Sequence, residues 1–266
     1  MDSITNPITI DAATTITGGN DLSFAGGATF SGGLIVNGNV NVTSNGALSV
    51  TGGLTLDGGL TFNGAGTVTI STVAITNNGG DVLAFNSTGA NTVSAPITLG
   101  GSLTIGGTAN GTVSGQITGT GDLTKSGAGT ITLTNTTNSF VGNITVSGGA
   151  LYANSSGSSA VDGILGNTAN DVTLDGGTLQ MYVYLNGSRA VLDANRTFTA
   201  VDGKTSTLLL AESGGNPYYW NSKDTDYEIN SLLTGTGTLV FDRSGSQTVE
   251  TYLTNVNNDV RNVTVN

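Results

Sequence analysis

The sequence predicts an all-β fold, a single elongated parallel β-solenoid with corner loops. Short segments alternate apolar residues with threonine, and glycines separate these segments at near-regular intervals. Charged residues make up only 9% of the chain, far below the roughly 25% of average soluble domains, so Ser, Thr and Asn occupy the polar positions. These features favour a stack of short strands over a catalytic pocket.

A recurring triplet of an apolar residue, threonine and a second apolar residue predicts the strands. Alternation with period two and a high content of β-branched residues are typical of a strand. The triplet occurs at 54–56, 60–62, 68–70, 97–99, 103–105, 131–133, 144–146, 172–174 and 263–265.

The glycine spacing predicts the size of one coil, or rung. Glycines at positions 26, 32, 38, 46, 52, 58 and 64 each separate two short segments. Three segments make a rung of about 20 residues, and each strand is expected to pair with its equivalent in the next rung at about 4.8 Å. Ten to twelve rungs would give a rod roughly 50–60 Å long.

Alternation also predicts which side chains point into the solenoid, because only stacking between rungs can hide them. The predicted inward set is Leu22, Phe24, Phe30, Leu34, Val36, Val40, Val42, Leu48, Val50, Leu54 and Leu56.

The chain is expected to form one continuous solenoid over 1–266, with four kinds of stretch. Residues 1–116 are regular glycine-punctuated rungs, and 117–181 carry a distinctive repeat. Residues 182–231 are rungs with an aromatic loop, which holds the only Trp, and 232–266 form a degenerate repeat. Rungs lengthen between 142 and 185, where the Ser-rich stretch 154–160 predicts a corner loop.

Composition excludes several classes of function. The net charge is −11 and the first 124 residues contain no Lys or Arg, so a nucleic-acid partner is not expected. With no Cys and no His, no metal site or cofactor is predicted.

No segment has the length of a membrane-spanning helix, and any export signal is expected to have been removed. Gly119-Thr120-Gly121 predicts a turn, because no helix follows to hold a phosphate.

One stretch of the chain resembles a known family. Residues 125–133, KSGAGTITL, are followed by NSFVG at 138–142, GAL at 149–151 and VTLDGGTL at 172–179. This order resembles the autotransporter-associated β-strand repeat, also called the passenger-associated transport repeat. The likeness spans about 117–181, and a weaker echo follows at 233–239 and 262–265, where Asp242 to Gly245 replace the core of the motif.

The resemblance implies a right-handed β-helix in a secreted or surface-displayed bacterial protein, usually an adhesin or a fibre. It implies no catalytic residue. Passengers of this kind normally precede a membrane β-barrel, and the sequence holds no barrel-sized alternating region. The chain is therefore expected to be a fragment, a released passenger or a stand-alone fibre subunit.

The leading functional hypothesis is a non-enzymatic extracellular subunit that stacks head to tail into a surface filament or matrix. Uncovered solenoid ends are strand edges, which pair readily with another chain. A homopolymer is the expected partner. The candidate assembly residues are Ile4, Ile8, Ile10, Val260, Val263 and Val265.

A second hypothesis is an adhesin that binds glycan through an aromatic loop. Its candidate residues are Tyr218, Tyr219, Trp220, Asp224 and Asp226, because aromatic rings stack on sugars while carboxylates bond hydroxyls. These aromatics could instead pack beneath the loop.

A polysaccharide lyase or hydrolase is the third hypothesis, with carboxylates at Asp171, Asp175, Asp224, Asp226 and Glu228. Asp171 and Asp175 would lie about 13 Å apart on an extended strand. That exceeds the roughly 5–9.5 Å of glycosidase pairs, so no catalytic residue is assigned.

Overall fold

The structure is a computed structural model, and it describes residues 6–19, 21–71, 73–155, 161–183, 190–212, 227–229, 231–244, 251–253 and 259–265. Every strand pairing in this part of the chain is parallel, and each joins one rung to the next. The predicted all-β solenoid is therefore confirmed.

The strands of the regular region are short. They are β1 Ile8–Ile10, β2 Thr14–Thr17, β3 Asp21–Phe24, β4 Ala28–Phe30, β5 Leu34–Asn37, β6 Val40–Ser44, β7 Leu48–Val50, β8 Leu54–Asp57, β9 Gly59–Asn63, β10 Val68–Ile70, β11 Ile75–Asn77, β12 Asp81–Phe85, β13 Asn91–Val93, β14 Ile97–Leu99, β15 Leu103–Gly106, β16 Gly111–Val113, β17 Ile117–Gly119, β18 Leu123–Lys125 and β19 Thr130–Leu133.

The remaining elements include one four-residue helix, α1 Val161–Ile164. The strands are β20 Ile144–Val146, β21 Ala150–Asn154, β22 Val172–Leu174, β23 Thr178–Val183, β24 Ala190–Leu192, β25 Thr197–Ala200, β26 Thr205–Glu212, β27 Tyr227–Ile229, β28 Leu232–Ser244, β29 Thr251–Leu253 and β30 Asp259–Val265.

Three strands per rung build three faces. The first face stacks twelve strands in the order β1, β4, β7, β10, β13, β16, β19, β21, β23, β26, β28 and β30. The second face stacks β2, β5, β8, β11, β14 and β17.

The third face runs from β3 through β6, β9, β12, β15, β18, β20, β22 and β25 to the first half of β28. Beyond β17, Ser139 and Val141 continue the second face by bonding to Ile117 and Gly119 without forming a strand. Strands β24, β27 and β29 form a separate three-stranded sheet.

The predicted inward set forms the core. Ten of its members are at most 7% exposed, from Phe24 at 7% to Val36 and Leu56 at 0%. Leu22 is the exception: it packs against the core but is only half-buried. Leu22 lies in the first rung, and within the described residues no rung covers the outer side of that rung.

Rung length follows the predicted change along the chain. Ile8 pairs with Ala28 and Leu103 pairs with Leu123, so most early rungs take 20 residues, whereas Val68 pairs with Asn91 across 23. Ile144 then pairs with Val172, which makes a rung of 28 residues, and Thr197 pairs with Leu232. The predicted lengthening after Gly142 is therefore confirmed, and the extra residues enter at the corners between the paired strands.

Glycine is required at several corners, because successive rungs approach there too closely for a side chain. A Cβ at Gly66 would lie 1.8 Å from the carbonyl oxygen of Gly46, and one at Gly121 would lie 1.8 Å from that of Gly101. Both clashes are with backbone atoms, which cannot move away easily because hydrogen bonds between rungs hold them. Gly80 lies at a more open corner, where nothing lies within 4 Å of the same position.

We expect Gly66→Ala and Gly121→Ala each to lower the free energy of unfolding by about 1–3 kcal/mol, because the rungs must separate to admit the methyl group. Urea and thermal denaturation followed by circular dichroism measure the loss.

Gly80→Ala is the matched control and should be neutral or stabilising by up to about 1 kcal/mol, because alanine reduces the entropy of the unfolded chain. Equal stability of all three variants would contradict a tight corner.

Candidate functional site

The residues proposed for glycan binding lie outside the described part of the chain. These are Tyr218, Tyr219, Trp220, Asp224 and Asp226. The glycan hypothesis therefore stays a prediction. Glu228 lies within β27, where it pairs in register with Val191 and Tyr252.

Asp171 and Asp175 each serve a separate contact between rungs. The Asp171 Oδ1 atom accepts a hydrogen bond of 2.9 Å from the backbone N–H of Thr197 in the next rung. Asp175 lies at the following corner, where its carboxylate is 3.8 Å from the Nζ atom of Lys204. Each carboxylate thus has its own partner at its own end of β22.

Asp171 belongs to a polar ladder along one corner. Asp122 Oδ1 accepts from the N–H of Asn143 at 2.7 Å, and Asn143 Oδ1 accepts from the N–H of Asp171 at 3.1 Å. The Asp171 bond to Thr197 continues the series. Each side chain satisfies a backbone donor that a short strand leaves at the corner, so these Asp and Asn residues stabilise the stack.

The predicted assembly residues that are described lie in the terminal strands. Ile8 and Ile10 belong to β1, and they are half-buried and pack against the core. Val260, Val263 and Val265 belong to β30, in register with Gly235, Leu239 and Phe241 of β28. Ile4 lies outside the described residues.

The first rung presents a strand edge. β1, β2 and β3 pair with β4, β5 and β6 of the second rung. Within the described residues, no strand pairs with the opposite edge of these three strands. In a parallel ladder, alternate residues bond to opposite neighbours, and Ile8 N–H and Ile10 C=O both bond to the second rung. The N–H and C=O of Thr9 therefore point to the outer edge.

Lys125 is a buried cation that sequence reasoning assigned only to the repeat motif. Its side chain is 1% exposed and points inward between Ile105 and Val146. The ammonium group donates to the carbonyl oxygens of Ser126 at 2.7 Å, Gly127 at 2.9 Å and Gly148 at 3.0 Å. The three N–H donors of the ammonium group thus bond to three carbonyl acceptors, and Lys125 links its own corner to the next rung.

Burial lowers the pKa of Lys125 to about 8, because desolvation disfavours the charged form. The alternation Leu123-Thr124-Lys125 could have identified this residue, since it requires the third position to face inward as the first does.

Arg196 performs a similar task in the lengthened rungs. It is fully buried, and its guanidinium donates to the carbonyl oxygens of Asn170 at 2.7 Å, Asn167 at 3.2 Å and Leu165 at 3.4 Å. These carbonyls belong to the segment that follows α1. Arg196 therefore satisfies backbone acceptors where the second face is no longer a regular strand.

A third polar group lies at the corner between the second and third faces. Asp81 is 6% exposed, and its Oδ2 atom accepts from the N–H of Gly79 at 3.2 Å. Burial raises the pKa of Asp81, and the nearby charge of Asp57 adds to the rise. The neighbouring Asn77 donates to Gly79 and Ser102, while its own Oδ1 atom is buried without a partner. No set of three acidic residues within the described ranges could hold a metal ion.

An open depression of about 460 Å³ lies over the corner loops at 86–90 and 108–110. Ser87 and Asn91 beside it already bond to backbone carbonyl groups of the corners. The polar side chains at this depression thus hold neighbouring loops together.

The free energy of unfolding should rise by about 2–3 kcal/mol between pH 7.5 and pH 10. The pKa of Lys125 is about 8 in the folded protein and 10.5 for an ordinary lysine, so the unfolded chain binds more protons in this window and stability increases with pH. Urea titrations at half-unit intervals of pH measure the rise.

Lys125→Met should remove the rise, because methionine keeps an unbranched chain without the titrating group. Lys204→Met is the control and should retain the rise, since the Lys204 side chain is 52% exposed. A rise of the same size in Lys125→Met would contradict the assignment to Lys125.

No protein-family model, curated protein or solved structure matches the chain. Within the described residues, none of the helices is long and apolar enough to cross a membrane. The resemblance to the passenger repeat therefore depends on the quoted motif residues, and it stays a prediction.

Proposed function

We propose that the protein is a non-enzymatic structural subunit that stacks head to tail into an extracellular filament or matrix. The observation that carries the proposal is the first rung, whose strand edge has no partner in the described part of the chain. A second copy would add its last rung to this edge as each rung is added within the chain. The passenger-type repeat supports a location outside the cell.

Burial supports the same proposal. Ile8 and Ile10 of the first rung are half-buried, whereas Ala28 and Phe30, their register partners in the second rung, are 2% and 1% exposed. Covering an Ile or Leu side chain fully stabilises by about 1.5–3 kcal/mol. Covering Ile8, Ile10 and Leu22 would therefore recover several kcal/mol in addition to the backbone hydrogen bonds.

The side faces give less reason for association than the edge does. Their backbone donors and acceptors are already paired between rungs, and their outward side chains are mainly small and polar. Exposed large hydrophobic residues of the described chain are restricted to Val73 and Val141. An end-to-end contact therefore stabilises an assembly more than a lateral contact does. Filaments should consequently be one rod wide.

The test is electron microscopy of the full chain across a dilution series. Filaments with an axial repeat near one rod length are expected for the unaltered protein. The double variant Ile8→Lys, Ile10→Lys should give isolated rods, because inward-pointing charge on an edge strand prevents strand addition.

The double variant Val73→Lys, Val141→Lys is the matched control, since it adds the same charge at exposed valines away from the edge, and it should keep the filaments. Circular dichroism spectra check that both variants are folded. Isolated rods of the unaltered protein at every concentration would overturn the proposal, and so would equal loss of filaments in both variants.

A further inference from the structure

Two columns of hydroxyl groups run along the first face. The strands place residues outward, inward and outward in turn, so that each rung contributes two outward hydroxyls separated by a buried apolar residue. The first column is in register through the strand pairings, and the second through the backbone bonds that follow each strand. The hydroxyl face, as we call it, consists of Thr29, Ser49, Thr69, Thr92, Thr112 and Thr132 in the first column and Ser31, Thr51, Ser71, Ser94, Ser114 and Thr134 in the second.

The spacing of the hydroxyl face is set by the backbone. Neighbouring parallel strands lie about 4.8 Å apart, and residues on the same side of one strand lie about 6.6 Å apart. Six rungs thus give a two-dimensional array about 24 Å long. None of the pairings between these six strands contains a register shift, so the array has no dislocation.

The hydroxyl face carries neither charge nor aromatic rings on its outward positions. The third face differs, because Asp122, Asp171 and Asp175 flank its own threonine column and Lys204 pairs with the last of them. On the second face, Ile35 interrupts the threonine column and Asp57 stands beside it. Only the first face has two adjoining hydroxyl columns over consecutive rungs of the described structure.

Hydroxyl groups of the second column are held in place before any ligand arrives. Ser31 Oγ donates to the Asp11 carboxylate at 2.5 Å and lies 3.2 Å from the carbonyl oxygen of Ile10, and Ser94 Oγ donates to the carbonyl oxygen of Ile70 at 3.5 Å. The hydroxyls of the first column form no side-chain hydrogen bond within the described protein, so they bond to solvent. Threonine is stiff at χ1, and little conformational entropy is lost when such a surface is covered.

We propose that the hydroxyl face binds the surface of ice. The partner must itself be a rigid repeating lattice, because an array fixed in two directions matches a periodic surface at many points at once. Water molecules in ice supply hydrogen-bond donors and acceptors at a repeat of similar size, and the outward positions of this face offer hydroxyl groups together with the methyl groups of threonine. Single contacts are weak, but twelve of them act together on one rigid rod.

Other partners fit the surface less well. A crystalline polysaccharide is also periodic, but sugar rings are usually recognised by stacking on aromatic side chains, which this face lacks. An anionic surface would need Lys or Arg, and the first 124 residues contain neither. Charge-free hydroxyls and methyls are compatible with ordered water, which a Lys or Asp side chain would disrupt.

Ice binding by the hydroxyl face does not depend on filament formation. Stacking occurs along the solenoid axis, whereas the hydroxyl face is on the side of the rod. It therefore stays exposed in a single rod and in a filament.

The experiment measures thermal hysteresis and the incorporation of the fluorescently labelled full chain into a slowly growing ice hemisphere. The unaltered protein should show hysteresis and enter the ice. Thr69→Lys combined with Thr92→Lys, the register pair at the centre of the first column, should lower incorporation about tenfold or more, which corresponds to about 1.4 kcal/mol per factor of ten.

The matched control is Thr124→Lys combined with Thr145→Lys, which changes half-buried threonines of the third face that pair in successive rungs. It should behave as the unaltered protein, and melting curves check that both variants are equally folded. Exclusion of the unaltered protein from ice, or equal incorporation of the two variants, would overturn the proposal. Retention on crystalline cellulose without incorporation into ice would also overturn it and indicate a polysaccharide surface.

Discussion

The backbone ladder between successive rungs is the interaction on which the rest of the structure depends. Each strand is short, so its hydrogen bonds stabilise it only when the equivalent strand of the next rung lies in register. Register in turn depends on the corners, where the backbones of Gly46 and Gly66, or Gly101 and Gly121, come into contact. A side chain at such a corner would separate two rungs and weaken three ladders together.

This close approach also explains the polar groups inside the solenoid. Tight corners turn carbonyl groups toward the interior, where no water is available to them. Lys125 satisfies three of them in the corners of two successive rungs, and Arg196 satisfies three in a longer rung. The two cationic groups thus donate their hydrogen bonds to backbone oxygen atoms. The geometry of the turn explains why a cation is buried here, and no bound anion is needed.

The fold could be predicted from sequence because alternation and glycine spacing encode it directly. Alternation of apolar and polar residues predicts the inward positions, and Phe30 and Val50, which it assigns to the interior, are in register and buried. Leu22 is less buried than predicted because burial in a solenoid depends on a neighbour on both sides. The position of a residue in the stack matters as much as the local pattern.

Other features could not be predicted, because they depend on how a corner is shaped. Lys125 is inward by alternation, yet its three acceptors come from two different corner loops that only folding brings together. Arg196 reaches carbonyls from about 26 to 31 residues earlier in the chain, after a segment whose length no pattern specifies. Of the Thr triplets in the sequence, only 68–70 and 131–133 belong to the hydroxyl face. Its second column lies in residues just outside the strands, so only the register shows that two columns adjoin.

The distribution of side chains along the rod separates the two proposed properties. The hydroxyl columns end within the chain, since Asp11 precedes Ser31 in the second column and accepts its hydroxyl hydrogen bond, while Tyr152 follows Thr132 in the first. A filament would therefore carry hydroxyl faces as patches repeated once per subunit. Because many patches on one rigid filament can contact one surface, assembly would strengthen surface binding through multivalency, whereas a single rod would bind through one patch alone.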